Sequence, residues 1–174
     1  MDHTLIDTHK LTRLGQTVQG QTRLSSFERL VSDLPQQGDT QATWSITGHY
    51  NDQLDQASLD VSVSAVVELW CQRCMKTMPY PVDSVSRLRV VHTQAEVDAQ
   101  DLPDTSPDDW VEPVLASSRL DALALVEDEL ILGLPYVPLH DQCSTQQDST
   151  QPATDDDDSN QASPFAILDK LRKN

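Results

Sequence analysis

Leu59–Leu69, LDVSVSAVVEL, alternates apolar and polar side chains over most of its length. Leu59, Val61 and Val63 fall on one side of an extended chain, and the polar residues between them fall on the other. Because successive side chains of a β-strand point to opposite faces of the sheet, this pattern predicts a strand with one buried face. We take this strand as the centre of the fold.

Two neighbouring segments have a similar period of two. Thr40–Tyr50 alternates cleanly, whereas Tyr80–His92 is strand-like with a change of phase near Asp83-Ser84, which predicts a β-bulge. The connections among the three strands are too short for crossover helices, so the sequence predicts an antiparallel meander. A weaker alternation across residues 15–24 adds a fourth candidate strand.

Helical patterns lie on either side of the meander. Ser25 and Glu28 form a capping-box pattern before a predicted helix over residues 26–34. A second helix is predicted over residues 119–132, with Asp121 near its start and Gly133 after it. The expected fold class is therefore α+β, with an antiparallel sheet of four or five strands and flanking helices.

The composition divides the chain into three parts. Residues 1–143 are expected to form a single α+β domain in which 93–118 is an acidic, proline-containing loop. Residues 144–162 have no apolar side chain beyond alanine, which predicts a disordered acidic tether. Residues 163–174 begin Ser-Pro and then carry Phe165, Ile167 and Leu168, so they predict a short amphipathic C-terminal helix.

The charge of the chain is strongly negative and uneven. The formal net charge is −16, and eighteen acidic but only four basic residues follow position 92. Nucleic-acid binding depends on Lys and Arg neutralising phosphates, so extensive direct RNA binding is disfavoured. A basic protein partner suits the charge better, although acidity that only maintains solubility is an equally good interpretation.

No apolar run approaches the roughly 18–20 residues needed to cross a bilayer, so no membrane association is expected. Residues 1–7 lack the basic stretch and apolar core of a secretory signal. Three cysteines without such a signal predict a cytoplasmic protein whose thiols are reduced or bind a metal.

Four potential metal ligands occur as two pairs, Cys71 with Cys74 and His140 with Cys143. Both spacings, C-x-x-C and H-x-x-C, suit a tetrahedral zinc site. Two other interpretations stay open: reduced cysteines packed as small apolar side chains beside a surface histidine, and a redox pair at Cys71 and Cys74. Sequence spacing alone does not decide among them.

Other charged clusters have weaker implications. Glu127, Asp128 and Glu129 form either a solvated helix face or an acidic patch that faces a partner, because adjacent helical residues do not converge on one site. A local basic patch consists of Arg73, Lys76, Arg87 and Arg89. The common nucleotide-binding, hydrolase and metalloprotease motifs are missing from the sequence, so no catalytic residue is assigned and no enzyme activity is expected.

Four ordered blocks of this sequence together resemble the YceD family: GQTRLSSFERL at 20–30, CQRC at 71–74, LVEDELILGLP at 125–135 with PLH at 138–140, and PFAIL at 164–168. The resemblance implies a bacterial cytoplasmic protein needed for normal synthesis, processing or stability of 23S ribosomal RNA, with no enzymatic activity. Some branches of the family carry several cysteines after the L-P segment that resemble a zinc site. This sequence has only His140 and Cys143 there.

From the charge and the resemblance together we expect an accessory factor in ribosome biogenesis. It would contact a basic ribosomal or assembly protein through the acidic residues 127–129 and through Phe165, Ile167 and Leu168, and would associate with 23S rRNA indirectly. The alternative is a direct RNA-binding module in which a zinc-knuckle-like Cys/His site and the basic patch contact phosphates.

Overall fold

The computed structural model describes residues 4–98 and 111–143. Seven strands and four short helices occur within these ranges. In chain order they are β1 Leu5–Ile6, α1 Thr8–Arg13, β2 Thr17–Arg23, α2 Glu28–Val31, β3 Gln41–Asn51, β4 Gln56–Trp70, β5 Thr77–Val91, α3 Gln94–Asp98, β6 Glu112–Leu115, β7 Leu120–Asp121 and α4 Ala122–Leu132. A 3₁₀ turn, Leu24–Ser26, joins β2 to the segment before α2.

The main sheet has five strands in the order β2-β3-β4-β5-β6. β2 to β5 are antiparallel neighbours in sequence order, which confirms the predicted meander and the α+β class. β6 is added to β5 in parallel, an arrangement made possible by the long connection between these two strands. β1 and β7 form a separate two-stranded antiparallel pair.

The predicted bulge at Asp83-Ser84 is wrong. The β4–β5 register runs without interruption from Ala57 opposite Val90 to Trp70 opposite Thr77. The apolar alternation of β5 breaks for a chemical reason, because two inward-facing positions are serines that donate to a buried carboxylate. Ser84 Oγ and Ser86 Oγ lie 3.0 and 2.5 Å from the two carboxylate oxygens of Glu129 on α4.

The hydrophobic core lies between the inner face of the sheet and the helices α1 and α4. Alternate residues of β4 are the best buried part of this face, and Val126 and Leu130 of α4 are also fully buried. α1 approaches β3 at Gly48, where an added Cβ would lie 2.4 Å from the carbonyl oxygen of Leu11. Only glycine permits this close backbone contact.

The helix predicted over residues 26–34 is much shorter than expected. It is reduced to α2 and the preceding 3₁₀ turn, and the capping box at Ser25 does not form. The first residue before α2 is Phe27, which offers no capping side chain, and the capping oxygen comes instead from Glu127 of α4. A distant residue has therefore replaced the local cap.

The second predicted helix is confirmed over most of its length. It begins at Ala122 rather than 119 because Leu120 and Asp121 pair with β1. Asp121 accepts hydrogen bonds from the backbone N–H groups of Leu123 and Ala124, and Gly133 follows the last turn. Asp121 is thus the N-cap residue itself, whereas the predicted start at 119 placed it inside the first turn.

The predicted acidic loop over 93–118 is wrong in part, since α3 and β6 both lie inside it. Residues 99–110 lie outside the described ranges, as do the predicted tether 144–162 and the predicted C-terminal helix 163–174. Among the described helices, none combines the length and apolar content that crossing a bilayer requires.

Candidate metal centre

The first arm of the candidate site is the tight turn between β4 and β5. Cys71 follows the last residue of β4 and is fully buried. Its N–H donates to the carbonyl of Lys76, and its carbonyl accepts from Met75 N–H, each at 2.9 Å. Met75 has a φ of 57°, which closes the turn. The turn thereby directs Cys71 and the half-buried Cys74 to the same side.

The second arm is the segment that follows α4. Its position beside the turn is set by a backbone hydrogen bond of 2.9 Å from Gln72 N–H to the carbonyl of Pro138. The next residues bring His140 and Cys143 to the turn, and His140 N–H lies 3.4 Å from Cys71 Sγ. Residues about 70 positions apart in sequence thus meet through local backbone contacts.

The four ligand atoms of Cys71, Cys74, His140 and Cys143 all lie within 4.8 Å of one another. Cys71 Sγ is 3.9 Å from Cys143 Sγ, and Cys74 Sγ is 3.4 Å from His140 Nδ1. Zn–S and Zn–N bonds of about 2.3 and 2.0–2.1 Å in a tetrahedron require S–S and S–N separations of about 3.8 and 3.5 Å. The two observed separations therefore match the geometry of a tetrahedral Cys₃His zinc centre.

The electrostatic environment differs between two of the thiols. Burial raises the pKa of Cys71, but the backbone N–H groups around it, that of His140 first, outweigh burial and lower the pKa to about 5. For Cys74 the Lys76 backbone lowers the pKa, whereas burial and the neighbouring Cys71 and Cys143 sulfurs together raise it. The site thus holds one readily formed thiolate, the protonation state in which cysteine binds metal.

Arg73 closes the site from the solvent side. Its Nε donates to Cys143 Sγ at 2.6 Å, and another guanidinium nitrogen donates to the carbonyl of His140 at 2.9 Å. The hydrogen bond to Cys143 raises the pKa of Arg73. The sequence placed Arg73 only in a basic patch that could contact RNA. Its position between the two cysteines of C-x-R-C could have indicated a role beside the thiols.

The contacts of the cysteines distinguish the three interpretations of these residues. All three cysteines are free thiols, and Cys74 and Cys143 are only partly buried. His140 lies among the thiols rather than apart from them. Cys71 and Cys74 occupy a turn between strands and not a helix N-terminus, where redox C-x-x-C pairs have their reactive thiol. The arrangement suits a metal centre best.

The acidic docking patch predicted at residues 127–129 needs correction. Glu127 and Glu129 are 9% and 7% exposed and make internal contacts. Glu127 accepts from Arg29 and Leu30, and Glu129 accepts from the two β5 serines. Asp128 remains half-exposed and pairs with Arg29 at 2.6 Å. Burial of the core-facing side of α4 takes two of the three carboxylates into the interior.

The predicted basic patch is only partly assembled. Arg73 is committed to the metal-ligand cluster, and Arg87 forms two hydrogen bonds with Asp60 at 2.6 and 2.9 Å. Lys76 is exposed in the turn and Arg89 is half-buried on β5. These contacts weaken the patch as a phosphate-binding surface. Phe165, Ile167 and Leu168 lie outside the described residues.

Comparisons with known proteins cover three of the four sequence blocks, and the block at 20–30 lies before the residues that the family model matches. Residues 59–172 match the family model described as large ribosomal RNA subunit accumulation protein YceD, a span that includes all four candidate ligands. A protein of that name from Haemophilus influenzae is 32% identical over 112 residues, which cover 62% of this chain. The matched stretch spans 60% of the length of that relative. No solved structure matches the chain.

Proposed function

This chain belongs to the YceD family, and from that membership we propose that it is a ribosome-biogenesis accessory factor that supports the synthesis, processing or stability of 23S rRNA. The observation that carries the proposal is the family match over residues 59–172, most of the described domain. We assign the protein no catalytic residue and place its activity in the cytoplasm.

The proposed mode of action is contact with a basic ribosomal or ribosome-assembly protein. The net charge of −16 supports this mode, because it attracts a basic protein and accelerates the encounter with it. The same negative charge repels the phosphates of naked RNA. Phe165, Ile167 and Leu168 remain proposed apolar docking residues, and Asp128 is the part of the acidic triplet that faces solvent. Association with 23S rRNA is then indirect.

We assign the Cys71, Cys74, His140 and Cys143 cluster to a structural zinc ion. Support comes from the convergence of four soft or borderline ligands and from the two separations that fit a tetrahedron. Bound zinc would hold the β4–β5 turn to the segment after α4 without an open coordination position. A closed site of this kind stabilises a fold rather than activating water.

The rRNA role is tested in cells that lack the gene. We expect a lowered ratio of mature 23S to 16S rRNA, restored by the wild-type gene and not by the Cys71→Ser/Cys74→Ser variant. Gln72→Ser is the matched control, since it alters the same turn without removing a ligand, and it should restore the ratio. An unchanged ratio in the deletion strain would overturn the proposed role.

The zinc assignment is tested separately by metal analysis of protein purified without a His tag. The wild type and Gln72→Ser should carry close to one equivalent of zinc, and the double serine variant should lose it. Less than a tenth of an equivalent in the wild type would overturn the assignment. The direct RNA-binding alternative predicts a steep salt dependence on naked rRNA fragments, whereas the protein-contact mode predicts little binding to them.

A further inference from the structure

The main sheet has two edge strands, β2 and β6, and β2 is the longer of them. Within residues 4–98 and 111–143, β2 pairs with β3 on one side only. Natural edge strands are commonly protected by charged side chains, by proline or by bulges. β2 reads TVQGQTR, has no proline and carries a single charge at its last residue, Arg23. Its outward backbone N–H and C=O groups are therefore suited to pairing with another strand.

A groove runs between this edge and the first turns of α4. Its volume is about 680 Å³, within the size range of ligand-binding clefts. The sheet side is formed by Val18, Gly20 and Thr22, which face inward, and the opposite wall includes Leu123 and Ala124. An extended chain lying along β2 would direct alternate side chains into this space.

The floor of the groove is formed by the Trp44 ring, which packs closely against Gly20. The Trp44 indole lies against Gly20, where an added Cβ would be 2.8 Å from the ring, and its Nε1 donates to Thr22 Oγ1 at 3.0 Å. Phe27 completes the floor and is almost fully buried. Flat apolar surface beside open backbone groups is the combination that domains use to bind peptides by strand addition.

The charge around the groove is negative. Glu28, Asp121 and Glu127 contribute to its walls. The two arginines there are themselves paired with carboxylates, since Arg23 lies 4.0 Å from Asp39 and Arg29 contacts both Glu127 and Asp128. Together the walls and the ion-pair partners of their arginines hold five carboxylates and two guanidinium groups, so the net charge around the groove is negative and favours a basic occupant.

The geometry points to a docking site for an extended basic segment of a protein partner, which adds a strand to β2 and inserts alternate apolar side chains between β2 and α4. This inference rests on the proposed basic partner and names the surface that binds it. Backbone hydrogen bonds to β2 supply affinity with little dependence on sequence, while the apolar groove and the net negative charge around it select apolar and basic residues.

The test uses the full chain and a fluorescein-labelled peptide, acetyl-Lys-Val-Lys-Val-Lys-Val-Lys-amide, with its Glu-for-Lys counterpart as the charge control. Binding is followed by fluorescence anisotropy, and amide hydrogen exchange of Thr17–Arg23 is measured with and without saturating peptide. Ala124→Arg obstructs the helix wall, and Val18→Arg obstructs the strand wall. Ala95→Arg on α3 makes the same change at an exposed helical site away from the groove.

We expect the basic peptide to bind at least tenfold more tightly than the acidic one and to slow exchange in β2. Each groove variant should weaken binding at least tenfold, and Ala95→Arg should stay within twofold of the wild type. Circular dichroism identifies any variant that has failed to fold, and the exchange measurement on the wild type decides the question without variants.

Unchanged exchange in β2 with saturating peptide would overturn the proposal, as would full affinity in both folded groove variants. Protection of β2 that rises with protein concentration without peptide would show that a second copy occupies the edge, and would also overturn it. A normal rRNA ratio in the deletion strain refutes the proposed function alone, because peptide binding is measured independently of cells.

Discussion

Replacing Glu127 with alanine should destabilise the protein by about 3 kcal/mol. One carboxylate oxygen accepts from the N–H groups of Arg29 and Leu30 at 2.7 and 3.1 Å, and the other accepts from Arg29 Nε at 3.0 Å. Loss of a helix cap costs about 1 kcal/mol, and a buried N–H left without a partner costs a further 1–3 kcal/mol. The exposed guanidinium contact adds less than about 1 kcal/mol.

The assay is urea unfolding of the wild type and variants, followed by circular dichroism, with thermal unfolding as a second measure. For a chain of this size the loss corresponds to a fall in Tm of about 10 °C. Asp128→Ala is the matched control, since it removes a carboxylate from the same arginine on the same helix, but at the surface. Its cost should stay below about 1 kcal/mol.

Equal and small costs for the two variants would refute the argument, because they would mean that Glu127 is as dispensable as an exposed acidic residue. Its assignment to the interior, and the correction of the predicted docking patch, would then be wrong. A large cost for Glu127→Ala alone would establish that α4 determines where α2 begins.

Two further predictions concern other carboxylates, Asp60 on β4 and Glu129 on α4. The hydrogen bond from Arg87 lowers the pKa of Asp60 in the folded protein. The ion pair therefore stabilises the fold above the unfolded pKa of about 3.9, and this stability is lost as the pH falls through the lower folded pKa. Asp60→Asn should cost about 1 kcal/mol of unfolding free energy at pH 7 and progressively less in acid unfolding titrations. An equal cost at pH 7 and pH 2 would contradict this. Changing Ser84 and Ser86 to alanine should cost about 2–4 kcal/mol by leaving Glu129 buried without its partners, and adding Glu129→Leu should restore most of the loss in urea unfolding. No recovery in the triple variant would show that the polar cluster is not the source of the cost.

The predictable part of the fold was the part with local periodicity. Residues 40–50 and 59–69 alternate because one face of each strand is buried, and both became strands of the meander. The same reasoning failed at Ser84 and Ser86, which are polar and face inward. An alternation of apolar and polar residues predicts the buried face of a strand only if every buried position is apolar. Here two buried-face positions are serines, because they donate hydrogen bonds to the buried carboxylate of Glu129.

Other features could not be predicted from local patterns, because they depend on contacts between residues far apart in sequence. The cap of α2 comes from a residue 98 positions away from Arg29, so no local pattern revealed it. The two pairs of candidate ligands were predictable from the spacing within each pair, but the approach of Cys71 to Cys143 depends on how α4 packs against the sheet. The groove beside β2 has no local signature, because it arises only once β2 forms an edge and α4 passes beside it.

The contact between Trp44 and Gly20 supplies the protein with an intrinsic optical probe. The indole forms the floor of the groove and is only 5% exposed, so its emission should lie toward the blue in the free protein. Any chain that enters the groove changes the polarity and quenching around that ring, while Trp70, the last residue of β4 and 42% exposed, reports on the bulk solvent. The chain has a third tryptophan, Trp110, so phenylalanine at positions 70 and 110 would leave the Trp44 emission as a label-free signal for occupancy of the β2 edge.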